Sequence, residues 1–171
     1  MPEMRVVGVS LDGEQGPSRP VLLLQEITGG RRVLPLWIGA QEAAAIIGEQ
    51  RGVRPPRPGT HQLIGMVIEA LGRRLERVAI VDIKHSIFHA ELIFDAATTT
   101  SARPSDAVAL ALHLGVPIQV EETVLGQAGM TSDETAGIAG SLGPIDEPTL
   151  DAIDEFRRFL DSTSPEDFDT D

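Results

Sequence analysis

Short apolar runs, broken by turn-forming residues, dominate the first forty positions. Residues 4–11 (MRVVGVSL) and 20–27 (PVLLLQEI) are rich in Val and Leu, and the loop DGEQGPSR lies between them, a pattern that predicts two strands. Thr28-Gly29-Gly30 predicts a tight turn into a third strand from Arg32 to Ile38, so the three form a meander. Gly39 ends that strand. The Ala-rich stretch from Gln41 to Gln50 predicts a helix with Glu42 in its first turn, where the helix dipole favours negative charge.

The pattern then stops. Three prolines between Arg54 and Gly59 remove backbone donors and fix backbone angles, which excludes helix or central strand. Thr60 is the expected N-cap of a helix reaching about Leu71, with Leu63, Ile64, Val67, Ile68 and Leu71 as its buried face. Residues 75–84 and 86–95 predict a hairpin turning at Lys84-His85-Ser86. A strand from Thr98 to Ala102 leads to a helix opened by Pro104 and running to Leu114, with Val108, Ala109 and Leu112 apolar. Val116 to Val120 is the last short strand.

One unit recurs. Arg32 to Ile47 and Thr98 to Leu112 each read as strand, small residue, acid, apolar helix, and both helices end at Gly-Val ahead of a proline. The repetition points to an internal strand-helix duplication that sets Glu42 and Asp106 at equivalent junctions. The domain boundaries expected are a folded body over 1–127, a flexible acidic linker over 128–147, an amphipathic helix over 148–161 and a disordered acidic tail over 162–171. The helix carries Leu150, Ile153, Phe156 and Leu160 on one stripe.

Charge changes the picture. The net charge of -12 lies wholly after residue 120, because acids and bases balance before it. A neutral body can meet a phosphate backbone, whereas the acidic end repels one. The 171 residues include no cysteine, which excludes thiol chemistry, thiolate metal sites and disulfides, and fits a reducing, cytoplasmic setting. No apolar run is long enough for a membrane span, and MPEMRVVGV lacks signal-peptide character. Arg greatly outnumbers Lys, which fits either phosphate recognition or a GC-rich coding bias. With five Phe, one Trp and no Tyr, few rings are available to stack on bases.

Candidate chemistry gathers at element ends: Glu42, Arg54, Arg57, Thr60, His61, Arg103, Ser105 and Asp106. In Arg103-Pro104-Ser105-Asp106, Arg103 could clamp a phosphate beside helix N-terminal amides, with Asp106 as base or metal ligand. Alternatively, Asp106 complements the dipole and pairs with Arg103 while Ser105 satisfies a first-turn amide. His61 suits a base or ligand, or a loop histidine bonding backbone. Glu42 divides between ligand and helix-start charge. Arg51, Arg54 and Arg57 form a basic edge that solvation alone would also explain. His85, His89 and His113 have packing, turn or dipole roles.

Four separated segments together resemble one family. They are Leu34-Pro35-Leu36-Trp37-Ile38-Gly39 running into Glu42-Ala43; Pro55-Pro56-Arg57-Pro58 with Thr60-His61; Ala102-Arg103-Pro104-Ser105-Asp106-Ala107; and Val116-Pro117-Ile118 with Val120-Glu121-Glu122. This set is similar to the bifunctional nuclease (BFN) domain family. The resemblance implies an α+β fold, and the predicted elements give it a mixed, largely antiparallel sheet with three to four helices. It also implies a homo-oligomer and nuclease activity on DNA and RNA. The chain departs from the family pattern at Gln62, where an acid is usual, and at His89 and Gln119, where aromatics are expected.

On that resemblance the expected function is phosphodiester hydrolysis, with a divalent ion (Mg or Mn) held by Glu42 and Asp106 activating water. His61 would shuttle the proton, Arg57 and Arg103 would stabilise phosphate charge, and Arg54, Thr60 and Ser105 would complete the substrate contacts. The rival is a non-catalytic oligomeric regulatory or adaptor module whose helix 148–161 binds a protein partner. In a third arrangement, the tail folds back on a basic face of its own body.

Overall fold

The computed structural model describes residues 1–12, 19–131 and 142–144. Strands β1 (Glu3–Asp12), β2 (Arg19–Glu26) and β3 (Val33–Trp37) form the predicted antiparallel meander, with Leu22 facing Leu36 and Leu24 facing Leu34. Helix α1 (Ala40–Gln50) follows directly, and after the proline-rich loop comes α2 (Thr60–Ala70). A second meander then forms from β4 (Leu75–Lys84), β5 (Ile87–Phe94) and β6 (Thr99–Ala102). Its first turn is the pair His85-Ser86, both at positive φ (50° and 63°), the type I′ geometry that matches strand twist. Then come α3 (Pro104–Leu114), the short strand β7 (Ile118–Val120) and α4 (Glu122–Ala128). The last described element is β8 (Leu142–Pro144).

Strand order is β3-β2-β1-β7-β4-β5-β6, with β8 on β1. β7 splices the two meanders, running antiparallel to β1 and parallel to β4. Each meander therefore ends in an outer strand, β3 or β6, that feeds a helix. The strand-helix repetition of the sequence is thus a repetition of topology, in an α+β fold with a mixed, largely antiparallel sheet. Leu22, Leu24, Leu34, Val78 and Ile80 of the sheet are buried with Ile46 of α1 and Val108 and Leu110 of α3. Helix α3 is the most enclosed of the helices, with Ala107, Ala109 and Ala111 also buried, and these small side chains let it lie close between sheet and neighbouring helices. No described helix is long and apolar enough to cross a membrane.

Four expectations need correction. Gly59, not Thr60, is the N-cap of α2, and Thr60 is the first helical residue. The predicted buried face of α2 is largely outside: Leu63, Ile64, Val67 and Leu71 are exposed and Ile68 half-buried, while Gly65 alone is buried. The cause is steric, since a Cβ at Gly65 would lie 3.0 Å from His113 Cδ2, so α2 rests on the end of α3 through the residue with no side chain. Helix α4, absent from the sequence reading, carries the body's last turn past 127 and buries Val124 and Leu125. Within the expected linker 128–147, Met130 bridges to Val33 and Leu142–Pro144 pairs with Ser10 to Asp12. The expected helix 148–161 and tail 162–171 lie outside the described residues.

Candidate functional site

Helices α1, α2 and α3 all start from an extended N-cap residue (Gly39, Gly59 and Arg103), and the third residue of each helix is Glu42, Gln62 and Asp106 respectively. An oxygen at this position suits the unpaired amides of a first turn. Gln62 shows this directly: its Oε1 accepts from the Gly59 amide at 3.1 Å. The first turns of all three helices line one cleft of about 810 Å³.

Arg103 joins the acids of two of these helices. Its Nε donates to Asp106 Oδ2 at 2.7 Å, its Nη2 to Asp106 Oδ1 at 3.0 Å and its Nη1 to Glu42 Oε1 at 2.8 Å. A bidentate fork on one carboxylate and a single bond on another orient the guanidinium plane and leave outward N–H groups for a further acceptor. His61 Nε2 lies 3.2 Å from Asp106 Oδ1. Burial would raise the Asp106 carboxyl, but the bonds from Arg103 and His61 outweigh it and hold Asp106 below the usual carboxylate range. An ionised carboxylate only accepts, so His61 Nε2 donates to it, an arrangement that in the neutral tautomer leaves the ring's lone pair on Nδ1. Asp106 and, to a lesser degree, Glu42 also hold the Arg103 guanidinium firmly in its charged form.

A second polar group, centred on Glu49, also touches the cleft. The Glu49 side chain is only 8% exposed; its Oε1 accepts from Gln62 Nε2 at 3.0 Å and its Oε2 lies 3.2 Å from His113 Nδ1 and 3.8 Å from Arg54 Nη1. This one carboxylate ties α1 to α2 and α3.

The chain matches the Bifunctional nuclease domain over residues 22–133, which runs from within β2 past the end of α4 and takes in all of these side chains. The chain belongs to the bifunctional nuclease domain family. An uncharacterized protein of Mycobacterium tuberculosis is 53% identical to it, over 98% of both chains. Bifunctional nuclease 2 of Oryza sativa subsp. japonica is 27% identical over 75% of this chain and 41% of its own length. Bifunctional nuclease 1 of Arabidopsis thaliana is 23% identical over 70% of this chain and 39% of its own.

Within this bifunctional nuclease domain, the predicted residues divide. Glu42, Thr60, His61, Arg103 and Asp106 meet at the cleft. Ser105 is buried and does not line it, and Arg54, also outside the lining, approaches it through Glu49. Arg57 is exposed on the proline-rich loop and does not line it. Glu49 was missed, although it sits two helical turns after Glu42 and so on the same face of α1, which is a usable signal. In the sequence Gln62 stands out only as a departure from the family pattern, whereas in the fold it caps α2 through Gly59 and bridges to Glu49.

Glu42 and Asp106 were expected to hold Mg or Mn. The arrangement does not fit that ion, because the Arg103 guanidinium fills the space between the two carboxylates. Among the described residues no group of three His, Asp or Glu side chains converges as a ligand set.

Proposed function

We propose that this chain hydrolyses phosphodiester bonds of nucleic acids at the cleft where α1, α2 and α3 begin. One observation carries the reading: a guanidinium oriented by Asp106 and Glu42 beside an imidazole held by the same Asp106. The outward N–H groups of Arg103 receive a phosphate oxygen, and the three helix starts add partial positive charge. His61 Nδ1 takes a proton from water as the water oxygen bonds to phosphorus. The ester oxygen leaves with the electron pair of the broken P–O bond and is protonated by the imidazolium. Asp106 stabilises that imidazolium and Arg103 the charge gathering on the phosphoryl oxygens. Thr60 contributes a hydroxyl at the rim. Arg57 on its loop adds sequence-independent attraction to the backbone.

The test is hydrolysis of single-stranded DNA and RNA oligonucleotides by highly purified full-length chain and by His61→Ala and Arg103→Met. The expected outcome is a loss of about 10² or more in rate for each, with circular dichroism unchanged. Wild type and variants of equal activity would overturn the reading.

A second reading, a non-catalytic oligomeric regulatory module, is favoured by Gln62. Its amide nitrogen serves Glu49, where the family usually presents an acid. A binding signal for nucleic acid or protein with no hydrolysis under any ionic condition would select it.

A further inference from the structure

The cleft extends beyond its charged group of Glu42, His61, Arg103 and Asp106. Ala44, Ala45 and Gly48 of α1 also line it, as do Val53 and Pro55 of the loop that follows. These five residues bring no side-chain hydrogen-bonding group. Ala45 and Gly48 come three and six residues after Glu42, so this apolar recess lies about 4.5 to 9 Å further along the helix axis. A nucleoside extends about as far from its own phosphate.

Gly48 keeps the recess open at a cost to the helix. Glycine inside a helix is less stable than alanine. Nothing in the fold asks for it here, since a Cβ at Gly48 would meet nothing within 4 Å beyond its own helix. Gly48 also takes part in the end of α1. The Val53 amide donates to the Gly48 carbonyl at 2.9 Å and the Gly52 amide to the Glu49 carbonyl at 3.1 Å, with Gly52 at φ 65°. This is a Schellman end, in which the position of Gly48 frequently carries an apolar side chain packed on the position of Val53. Here that side chain is missing, and Val53 stays 49% exposed in the lining of the cleft. Gly59, which lines the cleft from the start of α2, likewise has open space where a Cβ would lie.

A group that fills this recess is apolar on its faces and is tethered to an anion at Arg103. Glu49 and Gln62, which also line the cleft, are bonded to each other at 3.0 Å. Contact in the recess therefore depends on shape and apolar area more than on hydrogen bonds to base edges. The cleft volume of about 810 Å³ lies within the range of about 300–1,000 Å³ usual for small-ligand sites. A duplex keeps its bases paired and stacked and cannot place one there, whereas an unpaired strand can turn a base outward.

We infer that the recess beside Gly48 takes the base of an unpaired nucleotide whose phosphate lies on Arg103, without selecting among the four bases. The substrate class is then single-stranded nucleic acid of any sequence. The inference rests on the reading that Arg103 receives phosphate, and not on the hydrolytic step.

Equilibrium binding to the full-length chain tests it, with AMP and the base-free ribose 5-phosphate as probes. AMP is expected to bind about tenfold or more tightly than ribose 5-phosphate, with CMP, GMP and UMP within about fivefold of AMP. Gly48→Leu fills the recess. Its affinity for AMP should fall to the level of ribose 5-phosphate, whose own binding should not change. Its thermal midpoint should hold or rise, because leucine is the better helix former. Ala45→Leu supplies a second variant one turn earlier, with the same expected loss. Equal affinities of AMP and ribose 5-phosphate in the wild type, or AMP binding intact in both variants, would overturn the inference. A duplex oligonucleotide that displaced AMP as well as its separated strands do would also overturn it. The hydrolytic reading fails separately. Base-dependent binding with intact oligonucleotides keeps the recess and removes the reaction, and hydrolysis with base-independent binding does the reverse.

Discussion

Glu42 and Asp106 hold the same place in α1 and α3, the third helical residue, and share a single guanidinium. The strand-helix unit is used twice, and one side chain, Arg103, joins its two copies at the point where the charges meet. Replacing Arg103 by Met leaves two carboxylates facing each other and removes the bidentate partner of Asp106. The Asp106 carboxyl, now raised by burial and opposed by His61 alone, should titrate at higher pH than in the wild type. A carbon-13 titration of the Asp side chains checks this, and an unmoved Asp106 would mean the pair is not formed in solution.

Stability in acid follows from the same kind of pairing at a second place. Glu26, 5% exposed, is lowered chiefly by the side-chain bond from Arg32, against the opposing effect of burial. A carboxyl lowered on folding stabilises fully above its unfolded value and loses that contribution as pH falls through the folded one. Glu26 and Asp106 both have this sign. The urea midpoint should thus be level from about pH 7 to 5 and decline below about pH 4. In Arg32→Met the largest lowering influence on Glu26 is gone, and burial is opposed only by the backbone amides of residues 32 and 30, so the carboxyl should titrate higher than in the wild type. That variant should lose about 2 kcal/mol near pH 7, and its deficit relative to the wild type should narrow as pH falls through the carboxylate range.

Gln62→Glu places a carboxylate where an amide now donates to Glu49 Oε1 at 3.0 Å. Like charges at that range oppose each other, and the expected cost is about 1–2 kcal/mol at pH 7, diminishing as pH falls through the carboxylate range. Denaturant melts at pH 7 and pH 5 measure it. Equal stability at both would show that the Gln62–Glu49 bond does not hold the two helices.

Chelation probes the place Arg103 occupies. With a guanidinium between Glu42 and Asp106, hydrolysis at this cleft is expected to persist in EDTA and to be lost in Arg103→Met. A wild type silenced by EDTA and restored by Mn would return those carboxylates to the role of metal ligands.

Gly65→Val asks a packing question. Any Cβ there meets His113 Cδ2 at 3.0 Å and Leu114 Cδ2 at 3.2 Å, and a branched side chain must lift α2 from α3. A loss of about 2 kcal/mol is expected, read from the thermal midpoint. His61, carried on the same helix, moves away from Asp106, so hydrolysis should fall with it.

Most of the element pattern is local and is legible in the chain itself. Period-two and period-three-and-four apolar spacing, the glycine stops and Pro104 at a helix start depend on near neighbours alone, and they correctly indicate seven of the strands and three of the helices. The four family segments likewise bring Glu42, His61, Arg103 and Asp106 under suspicion. Helix α4 escaped because its seven residues (ETVLGQA) offer too few turns for a period to emerge.

What the tertiary structure alone decided is who faces whom. The α2 stripe looks like a core face in one dimension, because nothing local says that Gly65 is the contact and the leucines are not. The insertion of β7 between β1 and β4 depends on strand register between segments distant in sequence. The guanidinium between Glu42 and Asp106, and Glu49 serving Gln62 and His113 together, exist only because three helix starts converge. Spacing along a chain reports which side of an element a residue occupies, whereas the partner on that side is set by packing.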